Sequence, residues 1–93
     1  MGLLRIQLGT HEYKDYKLEK GTTAIGRQEG NDIVINDLAV SKKHARINRE
    51  ASYFLTDLRS SNGTYINGKK ILHSKLSDGD IIYFAGIQAT FYS

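Results

Sequence analysis

The sequence predicts an all-β domain, and three observations carry that expectation. Apolar and polar residues alternate at period two along most of the chain, and no window keeps the three-to-four-residue apolar spacing of an amphipathic helix for more than a turn. Turn-forming residues also recur at short intervals. In chain order, Leu4, Ile6 and Leu8 alternate with Arg5 and Gln7, and Tyr16 and Leu18 flank Lys17. Ile25-Gly26 closes the next strand, Ala45 and Ile47 flank Arg46 after His44, and Ile87, Ala89 and Phe91 alternate with Gln88 and Thr90. Each of the alternating patterns suits a strand with one wet face. Ile33-Val34-Ile35, Tyr53-Phe54-Leu55 and Ile81-Ile82-Tyr83-Phe84 are apolar at consecutive positions. They read as strands covered on both faces or packed near an edge, and as the anchors of the core.

Between these runs stand Gly21, Gly30-Asn31-Asp32, Asn36-Asp37, Asn62-Gly63, Asn67-Gly68, Asp78-Gly79-Asp80 and Gly86. Asn-Gly tolerates the positive φ of tight hairpin turns, so Thr64 to Asn67 reads as a very short strand folding back onto Lys69-Lys70-Ile71. The turn-rich stretch from Asn36 to Lys43 reads as a loop. Short strands with frequent turns form sandwiches or barrels, and residues 3 to 92 are expected to form a β-sandwich. No repeat, linker or low-complexity segment divides the chain, so residues 1–93 are expected to share one core as a single domain.

Composition excludes several functions. There is no cysteine, and the three histidines are too widely separated to offer metal-ligand spacing, so neither a metal nor another cofactor is expected. No run approaches the length of a membrane span, and the N-terminus lacks the basic flank and long apolar stretch of a secretory signal. The expected location is therefore cytoplasmic, or nuclear in a eukaryote, with no membrane partner. Met1-Gly2 could open an acylation motif, but Ile6 stands where that motif needs a hydroxyl. The net charge of +3 favours anionic partners without choosing among them.

The choice comes from four polar signatures in fixed order: Gly26-Arg27, Ser41-Lys42-Lys43-His44, Ser61-Asn62-Gly63-Thr64 and Asn67-Gly68. Arg27 carries the best phosphate ligand, because a guanidinium is always charged and presents a planar fork to two oxygens. Gly26 is expected to let the backbone turn there. Ser41, Lys42 and Lys43 add a hydroxyl and positive charge, and His44 is expected to be structural rather than catalytic. The amide of Asn62 can donate to and accept from the backbone of an extended peptide, although Asn62-Gly63 would serve a plain hairpin turn equally well. A hydrolase built from Ser41, His44 and Asp57 fails because the serine has no nucleophile elbow and no glycine-lined oxyanion donors. A phosphate loop ending in Gly-Lys-Ser or Gly-Lys-Thr is absent as well. No enzyme is expected.

Gly26-Arg27, Asn31-Asp32-Ile33, Ser41-x-x-His44, Asp57-Leu58-x-Ser60-x-Asn62-Gly63-Thr64, Asn67-Gly68 and Leu76-x-Asp78-Gly79-Asp80-x-Ile82 together resemble the forkhead-associated (FHA) domain. The resemblance implies an eleven-stranded β-sandwich with its binding loops at one end. It implies a non-catalytic module that binds phosphothreonine in partner proteins made by a Ser/Thr kinase, in signalling or assembly, and works as a monomer when isolated. By position, Arg27 and Ser41 match the primary phosphate ligands, Ser61 a further hydroxyl contact, Lys42 a secondary ligand and Asn62 the residue that holds the peptide backbone. His44 matches the histidine that braces the binding loop, and Gly26, Gly63, Asn67 and Gly68 match scaffold positions. Ala39 occupies a place from which some members read the ligand with a charged side chain. The rival expectation is a nucleic-acid-binding β-domain with Tyr53, Phe54 and Tyr65 as stacking faces. Against it, the basic residues are interleaved with Glu12, Glu19, Glu29 and Glu50 and form no single stripe.

Overall fold

Eleven strands form two sheets in the computed structural model, which describes residues 2–93. Met1, with which the acylation motif would begin, lies outside the described residues. The strands are β1 (Leu3–Gln7), β2 (Tyr13–Lys17), β3 (Thr22–Gly26), β4 (Ile33–Val34), β5 (Ala45–Arg49) and β6 (Tyr53–Asp57), followed by β7 (Thr64–Ile66), β8 (Lys69–Ile71), β9 (His73–Lys75), β10 (Ile81–Phe84) and β11 (Ile87–Tyr92). One sheet has the order β2-β1-β11-β10-β7-β8 and the other β4-β3-β5-β6-β9. The first and last strands pair antiparallel at the centre of the larger sheet, with Leu4 opposite Phe91. The all-β expectation and the eleven-stranded sandwich both hold.

Side-chain alternation puts one face of each sheet into a shared core. Leu4, Ile6, Ile82, Phe84, Ala89 and Phe91 from the larger sheet pack with Ile25, Ala45, Ile47 and Leu55 from the smaller. Fully burying a side chain of this size contributes about 1.5–3 kcal/mol. The three consecutive apolar runs are not covered on both sides, because a two-layer sandwich has nothing outside its sheets. Val34 is 42% exposed and Ile81 is 40% exposed, whereas Ile33, Ile35, Leu55, Ile82 and Phe84 are buried. Leu8 leaves the expected pattern too: β1 stops at Gln7, and the amide of Leu8 donates to the Glu12 carbonyl in the turn toward β2. β9 has no apolar alternation to announce it, and it forms by pairing with β6, Phe54 opposite Lys75. Phe54 is screened on the outer face by His73, stacked on it at 5.6 Å.

The Asn67-Gly68 hairpin forms as expected between β7 and β8, with φ of 50° and 84°. Asn62-Gly63 makes no hairpin, since β6 and β7 belong to different sheets and the loop between them crosses the sandwich end.

Gly26 matters for a reason other than turning. Its φ is not positive, and a Cβ built on it would lie 2.2 Å from the Lys42 carbonyl oxygen and 2.9 Å from the amide nitrogen of the Asn31 side chain. The end of β3 is thus pressed against the loop that carries Ser41 and Lys42. Gly26→Ala is expected to cost at least about 2 kcal/mol in urea unfolding, because the obstructing atom is backbone. Gly86→Ala, whose Cβ would meet nothing within 4 Å, serves as the control and should change stability by no more than about 0.5 kcal/mol.

Candidate functional site

Three loops meet at one end of the sandwich. The first leaves β3 at Arg27. Its backbone N–H donates to the Ser41 carbonyl at 3.0 Å, and its side-chain Nε donates to the Val40 carbonyl at 3.0 Å. That bond uses one of the five guanidinium donors and fixes the plane of the fork. The other four meet no protein acceptor among the described residues. Asn31 closes the same loop, its side-chain amide donating to the carbonyls of Gln28 at 2.7 Å and Lys42 at 2.9 Å.

The second loop runs from Ile35 to His44. Asp37 organises it by accepting the Ala39 amide on its carboxylate at 2.9 Å and the Val40 amide on its carbonyl at 3.0 Å. Val40 is buried and pins the loop to the core, and Leu38 stands exposed at the tip. Lys42 and Lys43 are exposed, so their ammonium groups border the site without a fixed partner in it.

The third loop joins β6 to β7. Oδ1 of Asp57 accepts the Ser60 hydroxyl at 2.5 Å and the Thr64 hydroxyl at 2.7 Å, and Oδ2 accepts the Ser60 amide at 3.1 Å. The Ser60 hydroxyl in turn accepts the Gly63 amide at 2.9 Å. Within this bracket Arg59 adopts φ of 58°, a left-handed conformation that costs a side chain other than glycine about 1–2 kcal/mol.

His44 ties the second loop to the third. It is fully buried, its Nδ1 accepts the Ser41 amide at 3.0 Å, and its Nε2 lies 2.9 Å from the Gly63 carbonyl. An amide can only donate, so Nδ1 is the acceptor and Nε2–H donates to Gly63. The ring also meets Phe84 edge-on at 5.9 Å. Two further bonds cross between the loops: the Ser61 amide donates to the Ser41 hydroxyl at 2.9 Å, and the Asn62 amide donates to the Ala39 carbonyl at 2.7 Å.

Arg27, Ser41, Ser61 and Asn62 are therefore brought together, with Lys42 beside them, Gly26 beneath and Gly63 held by His44. Asn67 and Gly68 do not join this cluster. Asn67 exchanges hydrogen bonds with Asp80 and with the backbone of Ile81, so the pair supports the junction of β7 with β10 rather than the loops. The Ser41, His44, Asp57 triad does not exist as such, since His44 meets the amide of Ser41 rather than its hydroxyl, and the Asp57 carboxylate is occupied by Ser60 and Thr64. Residues missed as site builders were Asn31, the carbonyls of Ala39 and Val40, and the strained Arg59. Only Asn31, following Gly30, carried a local turn signal.

Burial opposes the charge on Asp57, yet the hydrogen bonds from Ser60 and Thr64 hold its carboxyl below the usual carboxylate range. Asp32 is lowered as well, by the Ala24 amide and Lys20. A depressed folded-state pKa contributes stability that is present above the unfolded value, about 3.9 for aspartate, and is lost as pH falls through the folded value. Thermal stability is expected to fall steeply below about pH 4, and Asp57→Asn should be less stable at pH 7 with a shallower acid limb. Melting curves from pH 2 to 7 for both proteins measure this; parallel acid limbs would contradict it.

The fold is shared with known proteins. The FHA domain family model matches residues 23–85, and the chain belongs to that family. Among curated relatives, the oxoglutarate dehydrogenase inhibitor of Corynebacterium jeikeium is 36% identical over 90 residues, covering 96% of this chain and 62% of that protein. The chain spans about three-fifths of the length of the two oxoglutarate dehydrogenase inhibitors and of the glycogen accumulation regulator GarA that it matches, and about a fifth of EmbR. Among solved structures, the FhaA FHA domain, complexed with the intracellular domain of another protein, superposes with a TM-score of 0.90 at 28% identity, covering 98% of this chain and 99% of that one. EmbR of Mycobacterium tuberculosis, in complex with a low affinity phosphopeptide, gives 0.83 at 32% identity, covering 97% of this chain and 24% of that one.

Proposed function

We propose that this chain is a non-catalytic module that binds phosphothreonine in partner proteins and so assembles them in response to a Ser/Thr kinase. The observation that carries the reading is the fixed Arg27 fork, four donors of which have no protein acceptor among the described residues, set against Ser41 on the neighbouring loop. A phosphate brings nearly two negative charges and three acceptor oxygens, which match such donors; an unmodified threonine brings one weak hydroxyl. Ser41 accepts the Ser61 amide with its oxygen, which leaves its own O–H to donate outward. In this reading Arg27 and Ser41 hold the phosphate, with Lys42 and the Ser61 hydroxyl adding to it. Asn62 spends one N–H on Ala39 and keeps its carbonyl and second N–H for the peptide backbone. His44, Gly26 and Gly63 keep the loops in register. Residues 1–93 act as one domain, monomeric in isolation and cytoplasmic, and among the described residues no helix is long and apolar enough to cross a membrane.

The phosphopeptide bound to EmbR and the partner domain bound to FhaA support the reading. The inhibitor from Corynebacterium jeikeium supports regulation by binding rather than by turnover. The nucleic-acid rival loses its platform. Tyr53 packs inward against Phe91 at 5.2 Å, Phe54 lies on the outer face of the smaller sheet against His73, and Tyr65 belongs to the larger sheet opposite Tyr83. No common stacking surface forms.

Arg27→Ala is expected to weaken binding of a phosphothreonine peptide at least about thirty-fold, the equivalent of about 2 kcal/mol, while its melting temperature stays near that of the parent. Affinity of the parent should also drop as pH falls below about 6, where the phosphate takes up its second proton. Isothermal titration with phosphorylated and unphosphorylated twins measures both. Undiminished binding by folded Arg27→Ala, or equal affinity for the two peptides, would sink the proposal.

A further inference from the structure

The outer face of the smaller sheet carries groups that the loops at the binding end do not use. Strand register sets Arg46, Thr56 and His73 side by side across β5, β6 and β9, with Asn48, Phe54 and Lys75 in the next row, while Ala45, Ile47 and Leu55 alternate with them into the core. The two rows lie two residues apart along β5, about 6.6 Å. His73 is fixed from two sides: its ring stacks on Phe54 with the planes 2° apart, and its Nδ1 lies 2.8 Å from the Thr56 hydroxyl oxygen. Its Nε2 meets no protein partner among the described residues.

Between these side chains is a hollow lined by Arg46, Asn48, Glu50, Phe54, Thr56 and His73. Two of its groups are unanswered. Oδ1 of Asn48 is the one buried side-chain nitrogen or oxygen among the described residues without a hydrogen-bond partner, and a carbonyl in that state has given up water for nothing in return. Arg46 is exposed, and the ion pairs among the described residues are Arg5 with Asp15 and Lys20 with Asp32. The hollow therefore calls for an N–H at Asn48 and an anion at Arg46. Glu50, the one acid in the lining, stands past the end of β5 beyond Asn48, so the anion belongs at the Arg46 end. At about 210 Å³ the hollow is smaller than the roughly 300–1,000 Å³ of a small-molecule pocket, and its open rows suit the side chains of a segment laid across them.

We propose that the outer face of the smaller sheet is a second binding surface, for an extended acidic segment of a partner protein, and that it works whether or not that partner is phosphorylated. A segment running along β5 presents alternate residues at the spacing of Arg46 and Asn48. One carboxylate then sits between Arg46 and His73 above Thr56, and a backbone N–H reaches Asn48, whose carboxamide turns toward it about a soft χ2. The stacked rings of Phe54 and His73 give the aliphatic stems of the segment an apolar floor, and the exposed Lys75 adds charge of the sign that attracts it. Where one partner also carries a phosphothreonine, the two contacts reinforce each other through effective concentration.

The test titrates the isotopically labelled chain with an unphosphorylated peptide of alternating glutamate and threonine and follows the backbone amide signals by NMR. The shifts should concentrate on β5, β6 and β9 and persist when a phosphothreonine peptide is added in excess. Arg46→Glu should weaken binding at least about five-fold, whereas Lys69→Glu, the same change of charge on β8 of the larger sheet, should weaken it by no more than about two-fold. Asn48→Leu should weaken it about three-fold and yet unfold in urea no more easily than the parent, since it removes the unpaired carbonyl. Equal losses in Arg46→Glu and Lys69→Glu would reduce the effect to net charge and overturn the proposal. Shifts confined to the loops of Arg27, Ser41 and Ser61, or displacement by the phosphothreonine peptide, would put the acidic segment in the phosphate site and overturn it too. So would a parent that binds none of the peptide, or an Asn48→Leu protein less stable than the parent, which would mark the asparagine as structural.

Discussion

The buried imidazole of His44 is the constraint on which the binding end depends. Its two nitrogens are committed in opposite senses, one accepting from Ser41 and the other donating to Gly63, in a pocket with no access to water. Both partners are backbone, and without the ring the Ser41 amide would lose its acceptor, which makes removal costlier than the roughly 1 kcal/mol net of an ordinary hydrogen bond. The Gly63 carbonyl also accepts the amide of Ala85 from the β10–β11 hairpin, so a single ring coordinates three connections at one end of the sandwich.

From that brace the rest of the site follows as a series of backbone groups used to aim side chains. The Val40 carbonyl orients the Arg27 fork, the Ala39 carbonyl orients the Asn62 amide, and the Ser61 amide occupies an acceptor site on the Ser41 hydroxyl. Donors held this way lose little further freedom when a ligand arrives, which is how small loops achieve useful affinity. Gly26 contributes by absence, since any side chain there would push Lys42 and its loop off β3. The Ser41 hydroxyl accepts the Ser61 amide, and the buried histidine faces backbone on both of its nitrogens.

Much of the fold was legible from residue spacing. Period-two alternation located β1, β5 and β11, a run of consecutive apolar residues located β10, and Asn67-Gly68 marked the β7–β8 hairpin, because pleat and turn are properties of a few consecutive residues. The misreadings came from properties that are not local. Val34 and Ile81 look like residues of a strand buried on both faces and are half in water, since only the layer count of the whole domain says what covers a sheet. β9 exists because β6 offers it a partner. Gly26 was read as a turn and is a close approach, which no neighbour in sequence could reveal.

The site divides along the same line. Residue type and order were enough to single out Arg27, Ser41, Ser61 and Asn62, which the fold brings together, because a charged fork, hydroxyls and an amide are what holding a phosphate and a peptide backbone would need whatever the fold. The bonds that assemble them join residues 20, 23 and 19 positions apart: Ser41 with Ser61, Ala39 with Asn62, and His44 with Gly63. Those distances are bridged by the β5–β6 hairpin, whose length and twist decide where its two ends emerge. So the sequence by itself determined which chemistry is present and which segments are strands, both local consequences of side-chain type. Only the tertiary structure decided that Asn67 serves a sheet junction, that Ala39 and Val40 act through their carbonyls, and that Arg59 is held in a left-handed conformation beside Ser61 and Asn62, because each depends on chain segments brought together by folding.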